Sequence, residues 1–448
     1  MTMNTPKLPP CDHLPKPYEG PSYEEVLGLK NRYLTPTAIP FYTTPLMIVE
    51  GAMQYLFDEK GRRYLDAIGG IVTISVGHCH PRVVASVNEQ TQRLQHITSI
   101  YLNPNAALYA KMLADRLPGD LSVCYFMNSG SEANDMALLM ARLYTGNTDV
   151  VALQNAYHGG GASTMQLTAN SAWKYNTPQH FGVHHAINPN PYRGLWGYDD
   201  PGAGAKYAAE IKNVIDYATP GRVAAFIAES IQGVGGAVVY PEGFLEKAYG
   251  YIREAGGLCI ADEVQSGFTR TGTHYWGFEN HGVIPDIVTM AKGIGNGVPL
   301  AAVVTTPGIA AALSSRIHFN TFGGNPVSCA AGMAVLEVIE RDNLRNNALD
   351  RGRELMAGYR KLMARHEIIG DARGRGLMTG IELVKDRRTK EPAREACLRV
   401  FERLKDMGLL VGKGGLHSNT LRIKPPLCIT QEDVVFLLDA LDSALGEL

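Results

Sequence analysis

Three short segments carry the residues whose types and spacing could do chemistry. The first, MNSGSEAN (residues 127–134), places Ser129, Gly130 and Ser131 ahead of apolar positions Ala133, Ala137, Met140 and Ala141, which recur at helical spacing. Hydroxyls and free backbone N–H groups at a helix start can bind an anion such as phosphate; they can equally form a plain N-cap with Glu132 in the first turn. The second, LCIADEVQSGFTR (258–270), is an apolar run that ends in Asp262. A carboxylate there needs a cationic or donor partner, which an ordinary buried salt bridge or a protonated ring nitrogen would supply. The third, IVTMAKGIGNGVPL (287–300), sets Lys292 behind Ile287, Val288, Met290 and Ala291. That lysine either snorkels at a strand end or keeps a partly desolvated amine of lowered pKa, which would be nucleophilic.

One ligand would use all three segments. Pyridoxal 5′-phosphate requires a phosphate cradle, a carboxylate for its pyridinium nitrogen and a lysine for its aldehyde. Asp262 would keep the ring nitrogen protonated. Lys292 would bond the aldehyde and then carry the proton released from the substrate. Tyr157, in NAYHGG, would stack on the ring, although an aromatic after a strand also serves as packing.

The elements that must position these residues follow from hydrophobic periodicity. Between about residues 105 and 325, apolar runs alternate with amphipathic stretches, which predicts an α/β fold with a mostly parallel central sheet. Strands are expected at 150–153, 224–228, 258–261, 287–290 and 301–304. Ligands gather at the carboxyl ends of such strands, and the unusual polar residues fall there: Tyr157 and His158, Glu229, Asp262 and Lys292. The residues before this region read as a Pro-rich arm and a small hairpin turning at Lys60-Gly61. Helices are expected at 327–340 and 349–366, followed by strand-like GLMTGIELV and TLRIKPPL. The expected division is an arm and hairpin over 1–70, a large domain over 71–326 and a smaller α+β C-terminal domain over 327–448.

Composition removes several function classes. In 448 residues, 42 basic against 44 acidic side chains give a net charge of -2, so no footprint for nucleic acid or an anionic membrane is present. The seven cysteines are scattered, without a CxxC pair, which predicts reduced thiols in a cytosol-like compartment. The first 20 residues show no leader pattern, so the mitochondrial matrix is expected only through a presequence already removed. No apolar run approaches the roughly 20 residues of a membrane span. No metal is expected: His78-Cys79-His80 lacks the spacing of a tetrahedral site. Gly374, Gly376 and Gly380 do not complete a dinucleotide fingerprint.

The combination NSGSEAN, AYHG, ESIQG, IADEVQSGFTRTG, DIVTMAKGIGNGVPL and FNTFGGNP resembles the class III aminotransferases, pyridoxal-phosphate enzymes of fold type I (aspartate aminotransferase-like), from about Tyr55 to the C-terminus. Within that family it is most similar to the alanine–glyoxylate aminotransferase 2 type, which shares a segment like residues 70–81. The resemblance implies Gly130 and Ser131 on the phosphate with Ser129 beside them, Tyr157 on one ring face and Val264 on the other. It implies Asp262 on the ring nitrogen, Gln265 on the phenolic oxygen, Lys292 as the aldehyde-bonding residue, and His158 and Glu229 around the cofactor. Thr321, with Asn320 beside it, would reach the phosphate of a second subunit's cofactor, so a homodimer with shared sites is implied; whether dimers pair into tetramers stays open.

Departures from the family bear on substrate. Where relatives acting on ornithine, acetylornithine or 4-aminobutyrate usually carry an arginine after the stacking aromatic, this chain has Gly160; where they carry a glutamate after the ESIQG motif, it has Val234. Arg422 remains as the carboxylate-binding arginine, and Ile71 stands where ornithine enzymes place a tyrosine. One unmasked arginine predicts a small monocarboxylate: alanine, β-alanine or 3-aminoisobutyrate as donor, glyoxylate or pyruvate as acceptor. The alternatives are another omega-amino acid–pyruvate aminotransferase, a phospho-lyase acting on a phosphorylated amino alcohol or hydroxy-amino acid, and a cofactor-less scaffold on the same fold.

Overall fold

Runs of Val, Ile and Ala too short for helices pair readily when both faces of a sheet are covered. In the computed structural model, which describes residues 6–37, 40–176 and 182–448, all five expected strands lie in one seven-stranded sheet. Its order is Val123–Met127, Ala301–Thr305, Ile287–Met290, Leu258–Asp262, Ala225–Glu229, Val150–Leu153, Val183–Ala186. Neighbours run parallel except Ala301–Thr305, which is antiparallel to both its partners. The expected mostly parallel sheet is therefore observed. Two strands were not anticipated, Val123–Met127 and Val183–Ala186, and both are edges. Edge strands are less buried, and the second, VHHA, carries two histidines that hide its apolar pattern.

Alternate residues of the central strands feed two separate cores. Ala225, Ile227, Ile260 and Ile287 pack with Ala133, Ala137 and Met140 of the helix Gly130–Thr145. Phe226, Ala228, Cys259 and Val288 belong to the core that takes in Tyr207, Phe244 and Ile252 of the helices Ala203–Ala218 and Phe244–Glu254. The register is level where it matters: Glu229 pairs with Asp262, and Asp262 with Thr289. Chemistry-bearing residues at these ends are thus held abreast.

The expected later helices occupy Pro326–Arg341 and Leu344–Arg365. The strand-like segments form an antiparallel sheet ordered Ile369–Arg375, Met378–Leu383, Thr420–Ile423, Gly412–Gly414. The early hairpin pairs Tyr55–Asp58 with Arg63–Asp66, and the latter takes Leu409–Leu410 as a parallel neighbour. Residues 6–20 form no regular structure, and Lys16 N donates to Glu50 at 2.9 Å; residues 1–5 of the expected arm lie outside the described residues. Among the described residues, no helix is long and apolar enough to cross a membrane.

One segment departs from ordinary backbone. Gly69, Gly70, Ile71 and Val72 all have φ between 57° and 66°, a left-handed turn in which the two β-branched residues are strained. It leads into a clamp on the loop after Lys292: Asn296 Oδ1 accepts from Ser75 N (2.9 Å) and Val76 N (3.0 Å), its Nδ2 donates to Gly77 O (2.8 Å), and Ser75 Oγ donates to Gly293 O (2.7 Å).

Two half-buried histidines predict an acid-sensitive fold. Burial pushes His185 and His281 from 6.5 down to about 4, and each ring Nε2 bonds a backbone carbonyl, Leu167 O or Ser230 O. Below pH 6.5 the unfolded chain binds protons that the folded one refuses, so stability is present above that pH and is lost as pH falls towards 4. The melting temperature should therefore drop across this window, and less steeply in the His185→Gln/His281→Gln double variant; equal slopes would show that other groups govern the acid limb.

Candidate active site

The level strand ends bring Asp262 into contact with two other segments. Its Oδ2 accepts from His158 Nδ1 at 2.7 Å and from Asn134 Nδ2 at 2.8 Å, and its Oδ1 accepts from Val264 N at 3.1 Å. Asn134, from the opening turns of the helix Gly130–Thr145, also donates to His158 O (2.8 Å) and accepts from Thr289 Oγ1 (2.7 Å). Burial pushes the Asp262 carboxyl up, but these donors outweigh it and hold the pKa below the usual carboxylate value. Asp262 is therefore an ionised carboxylate that lines a cavity, with acceptor capacity remaining on Oδ1.

That cavity, about 120 Å³, is lined by Gly130, Ser131, Asn134, Tyr157, His158, Gly159, Glu229, Asp262, Val264, Gln265 and Lys292. Lys292 follows its strand in a left-handed conformation, φ 51°, which turns the chain sharply at the strand end. Burial lowers its amine pKa, Asp262 and Glu229 pull it back up, and Arg422 lowers it further; the net shift is downward. A lysine so placed holds more of its free amine at neutral pH.

At the other end, Ser129 caps the helix by accepting from Glu132 N at 3.2 Å. A Cβ on Gly159 (φ 133°) would come within 2.5 Å of Ser131 Oγ, so that position needs glycine, and one on Gly130 would press against Val264 Cγ1 at 3.1 Å. Gly160 N donates to Ser131 Oγ at 3.1 Å. Glu229, whose carboxyl burial pushes up, accepts from Tyr157 N (3.1 Å) and Gly233 N (2.6 Å) and so ties the aromatic to the following turn. Tyr157 meets Trp173 edge-on at 5.1 Å.

The sequence-predicted residues divide accordingly. Gly130, Ser131, Tyr157, His158, Glu229, Asp262, Val264, Gln265 and Lys292 share the cavity. Arg422 is buried and does not line it: its Nη1 donates to Gly233 O (3.4 Å) and its Nε to Lys413 O (3.1 Å), and burial pushes its pKa down to about 10. The Ser129 hydroxyl is taken by its cap. Asn320 bonds Asn128, Glu132 and Gly323 outside the cavity, Thr321 is exposed, and Ile71 is 38% exposed; none of the three lines the cavity within one chain.

Two residues escaped the sequence reading. Asn134 is an amide four positions after Gly130 on an otherwise apolar helix face, and that helical spacing was the available signal. Lys424 is fully buried; its Nζ donates to Gln265 Oε1 (3.0 Å) and Gly233 O (3.2 Å). Its signal was a lysine closing an apolar strand, as Lys292 does. A larger cavity of about 820 Å³ shares no lining residue with the first, and its Arg193 and Arg373 are neutralised by Glu382 and Asp371.

A family model described as aminotransferase class-III matches residues 40–445. The chain is 54% identical over 442 residues to an Arabidopsis thaliana protein named alanine–glyoxylate aminotransferase 2 homolog 2, mitochondrial, covering 99% of this chain and 91% of that one. Among solved structures it is similar to an Arthrobacter phospholyase in complex with phosphoethanolamine (TM-score 0.89, 33% identity, 94% of this chain and 100% of that one). It is also similar to an amine transaminase from an uncultivated Pseudomonas species in its PLP-bound form (TM-score 0.86, 31% identity, 93% and 98%).

Removing the buried amide tests the role of the Asp262 cluster. Asn134→Ala deletes two donated hydrogen bonds and one accepted one, and should destabilise the protein by ~1–3 kcal/mol, read as a lower denaturant midpoint. An unchanged midpoint would show that the amide is not needed to hold Asp262 in place.

Proposed function

The chain belongs to the class-III aminotransferases, which use pyridoxal phosphate, and from that premise we propose that it moves the amino group of a small amino acid to glyoxylate or pyruvate. Alanine is the leading donor, with β-alanine or 3-aminoisobutyrate as the other candidates. Its relatedness to the Arabidopsis protein, 54% identical along almost the whole chain, supports the choice of acceptor. The observation that carries the substrate size is Arg422. Its two hydrogen bonds go to carbonyls, and among the described residues no carboxylate forms an ion pair with it. An unneutralised buried guanidinium can grip one carboxylate. No second cation stands at Gly160, where a Cβ would meet nothing within 4 Å, and Val234 offers no charge.

The cavity fits the cofactor. Gly130 and Ser131 at a helix start suit a phosphate, Tyr157 and Val264 suit the two ring faces, and His158 Nε2 is buried without a hydrogen-bond partner in this chain. When bound, pyridoxal phosphate supplies an electron-withdrawing ring and an aldehyde carbon. Asp262 would hold a proton on the ring nitrogen, and His158 with Asn134 would keep that carboxylate ionised. Gln265 would donate towards the phenolic oxygen. Lys292 Nζ would be the amine for the aldehyde and the base for the proton on the substrate carbon that bears the amine. Arg422 fixes the substrate carboxylate so that this C–H bond faces Lys292. Thr321 is proposed to serve the site of a second copy in a homodimer, supported by its exposure and by the exposed Phe319 and Phe322 around it.

The seven cysteines are unpaired, which suits a reducing compartment. The cytosol is the proposed location, and the mitochondrial matrix is the alternative, given the description of the Arabidopsis relative.

The competing reading is a phospho-lyase, since the Arthrobacter structure is so similar. Amino transfer from alanine, β-alanine and 3-aminoisobutyrate to glyoxylate and pyruvate, set against phosphate release from phosphoethanolamine, separates the two. Phosphate release without need of a keto acid would overturn the proposal. Arg422→Ala should raise KM for every carboxylate substrate by about tenfold or more; an unchanged KM would remove its role. Lys292→Ala should abolish both transfer and the visible absorption of the holoenzyme.

A further inference from the structure

Lys424 is a buried amine that no step of the proposed reaction uses. It stands two residues after Arg422, with 0% exposure, and its chain position is held by Lys424 N donating to Ala67 O at 2.7 Å. Its Nζ donates to Gly233 O (3.2 Å) and to Gln265 Oε1 (3.0 Å). The Gln265 atom that faces it is the carbonyl oxygen, the amide orientation that an N–H donor at this point selects. The Gln265 amide NH₂ is then the end left for the cavity that Gln265 lines. The amide packs directly on Gly233, where a Cβ would sit 2.4 Å from both Nε2 and Oε1 of Gln265.

We propose that Lys424 is a positioning residue that fixes the orientation of the Gln265 carboxamide, so that an N–H and not a C=O faces the phenolic oxygen of the cofactor ring. The inference rests on the assignment of this cavity to pyridoxal phosphate. An oxygen turned towards a phenolate would repel it, whereas the N–H stabilises it, so the two amide orientations differ in sign and not only in strength. The charged groups that act on Lys424 are the cations Arg422, Lys292 and Arg270, with Glu229 as the opposing carboxylate. Burial, and then those cations, hold its pKa well below the usual lysine range; charged or neutral, its Nζ keeps N–H donors for Gly233 O and Gln265 Oε1. The bond also joins the segment after strand Thr420–Ile423, which carries Arg422, to the turn after Asp262. The carboxylate-binding and ring-binding parts of the site thereby share one lysine.

The test is a spectroscopic pH titration of the purified holoenzyme's visible band in the absence of substrate. Loss of the N–H from the phenolic oxygen should move the titration midpoint up by about one pH unit. Gln265→Ala and Lys424→Met should each give that shift, and the double variant should add nothing further, because both remove the same interaction. Lys424→Gln keeps a donor without the charge and should restore the wild-type midpoint, which a merely structural role for the lysine would not predict. If Lys424→Met does not fold, Lys424→Ala is titrated in its place: water there can donate or accept, the amide is no longer held, and the midpoint should move in the same direction. A wild-type midpoint in the folded Lys424 variant beside a shifted Gln265→Ala would overturn the proposal, as would additive shifts in the double variant. The wild-type protein is the control on the underlying assignment: if it shows no visible band when pyridoxal phosphate is supplied, the cofactor reading itself fails, whatever Lys424 does.

Discussion

A carboxylate kept ionised where water cannot reach it is the constraint around which this structure is arranged. A buried Asp262 left to itself would neutralise or destabilise the fold. Three chain segments converge to prevent that: His158 after one strand, Asn134 from a helix and the backbone of Val264. Two of those donors are themselves held, Asn134 by Thr289 and His158 by the Asn134 amide. The level register of Glu229, Asp262 and Thr289 is what brings the set within reach. Moving one strand by a residue would turn Asp262 to the other face of the sheet.

Glu229 plays the complementary part. Its two oxygens hold Tyr157 N and Gly233 N, so the aromatic and the turn that backs Gln265 move as one body. Gly233 O in turn accepts from both Arg422 and Lys424. A single run of hydrogen bonds therefore connects the end of the central sheet to the strand that carries Arg422. Positions far apart in sequence are coupled here through atoms in direct contact, the arrangement in which substitutions are least independent.

Much of this was legible in the sequence because it depended on local pattern. The buried strands declared themselves as short apolar runs, and Asp262, Glu229 and Lys292 stood out as polar endings to those runs. The helix at Gly130 was announced by Ser129 and by its apolar spacing. What local pattern could not show were edge strands such as VHHA, where half-burial permits histidine, and buried polar residues whose reason is a distant partner. Asn134 and Lys424 are of this kind: nothing beside them in the chain explains an amide or an amine in an apolar setting. Thr321, Asn320 and Ile71 mark a different boundary: resemblance placed the first two at a second subunit's cofactor and Ile71 at the substrate, and within one chain none of them lines the cavity.

The parallel pairing of Arg63–Asp66 with Leu409–Leu410 has a consequence for biogenesis. The hairpin emerges from the ribosome early, but its neighbouring strand comes from the far end of the chain; a nearby bond, Arg62 Nη2 to Asp406 O, spans 344 residues. Until synthesis is almost finished, that strand edge has no native partner and is open to pairing with other chains. Contacts of such separation also slow folding, because a long loop must close before they contribute. Arg422 and Lys424 come 12 and 14 residues after Leu410, so a chain truncated before this last seam would have Lys292 and Asp262 but neither a closed edge nor the strand that carries Arg422.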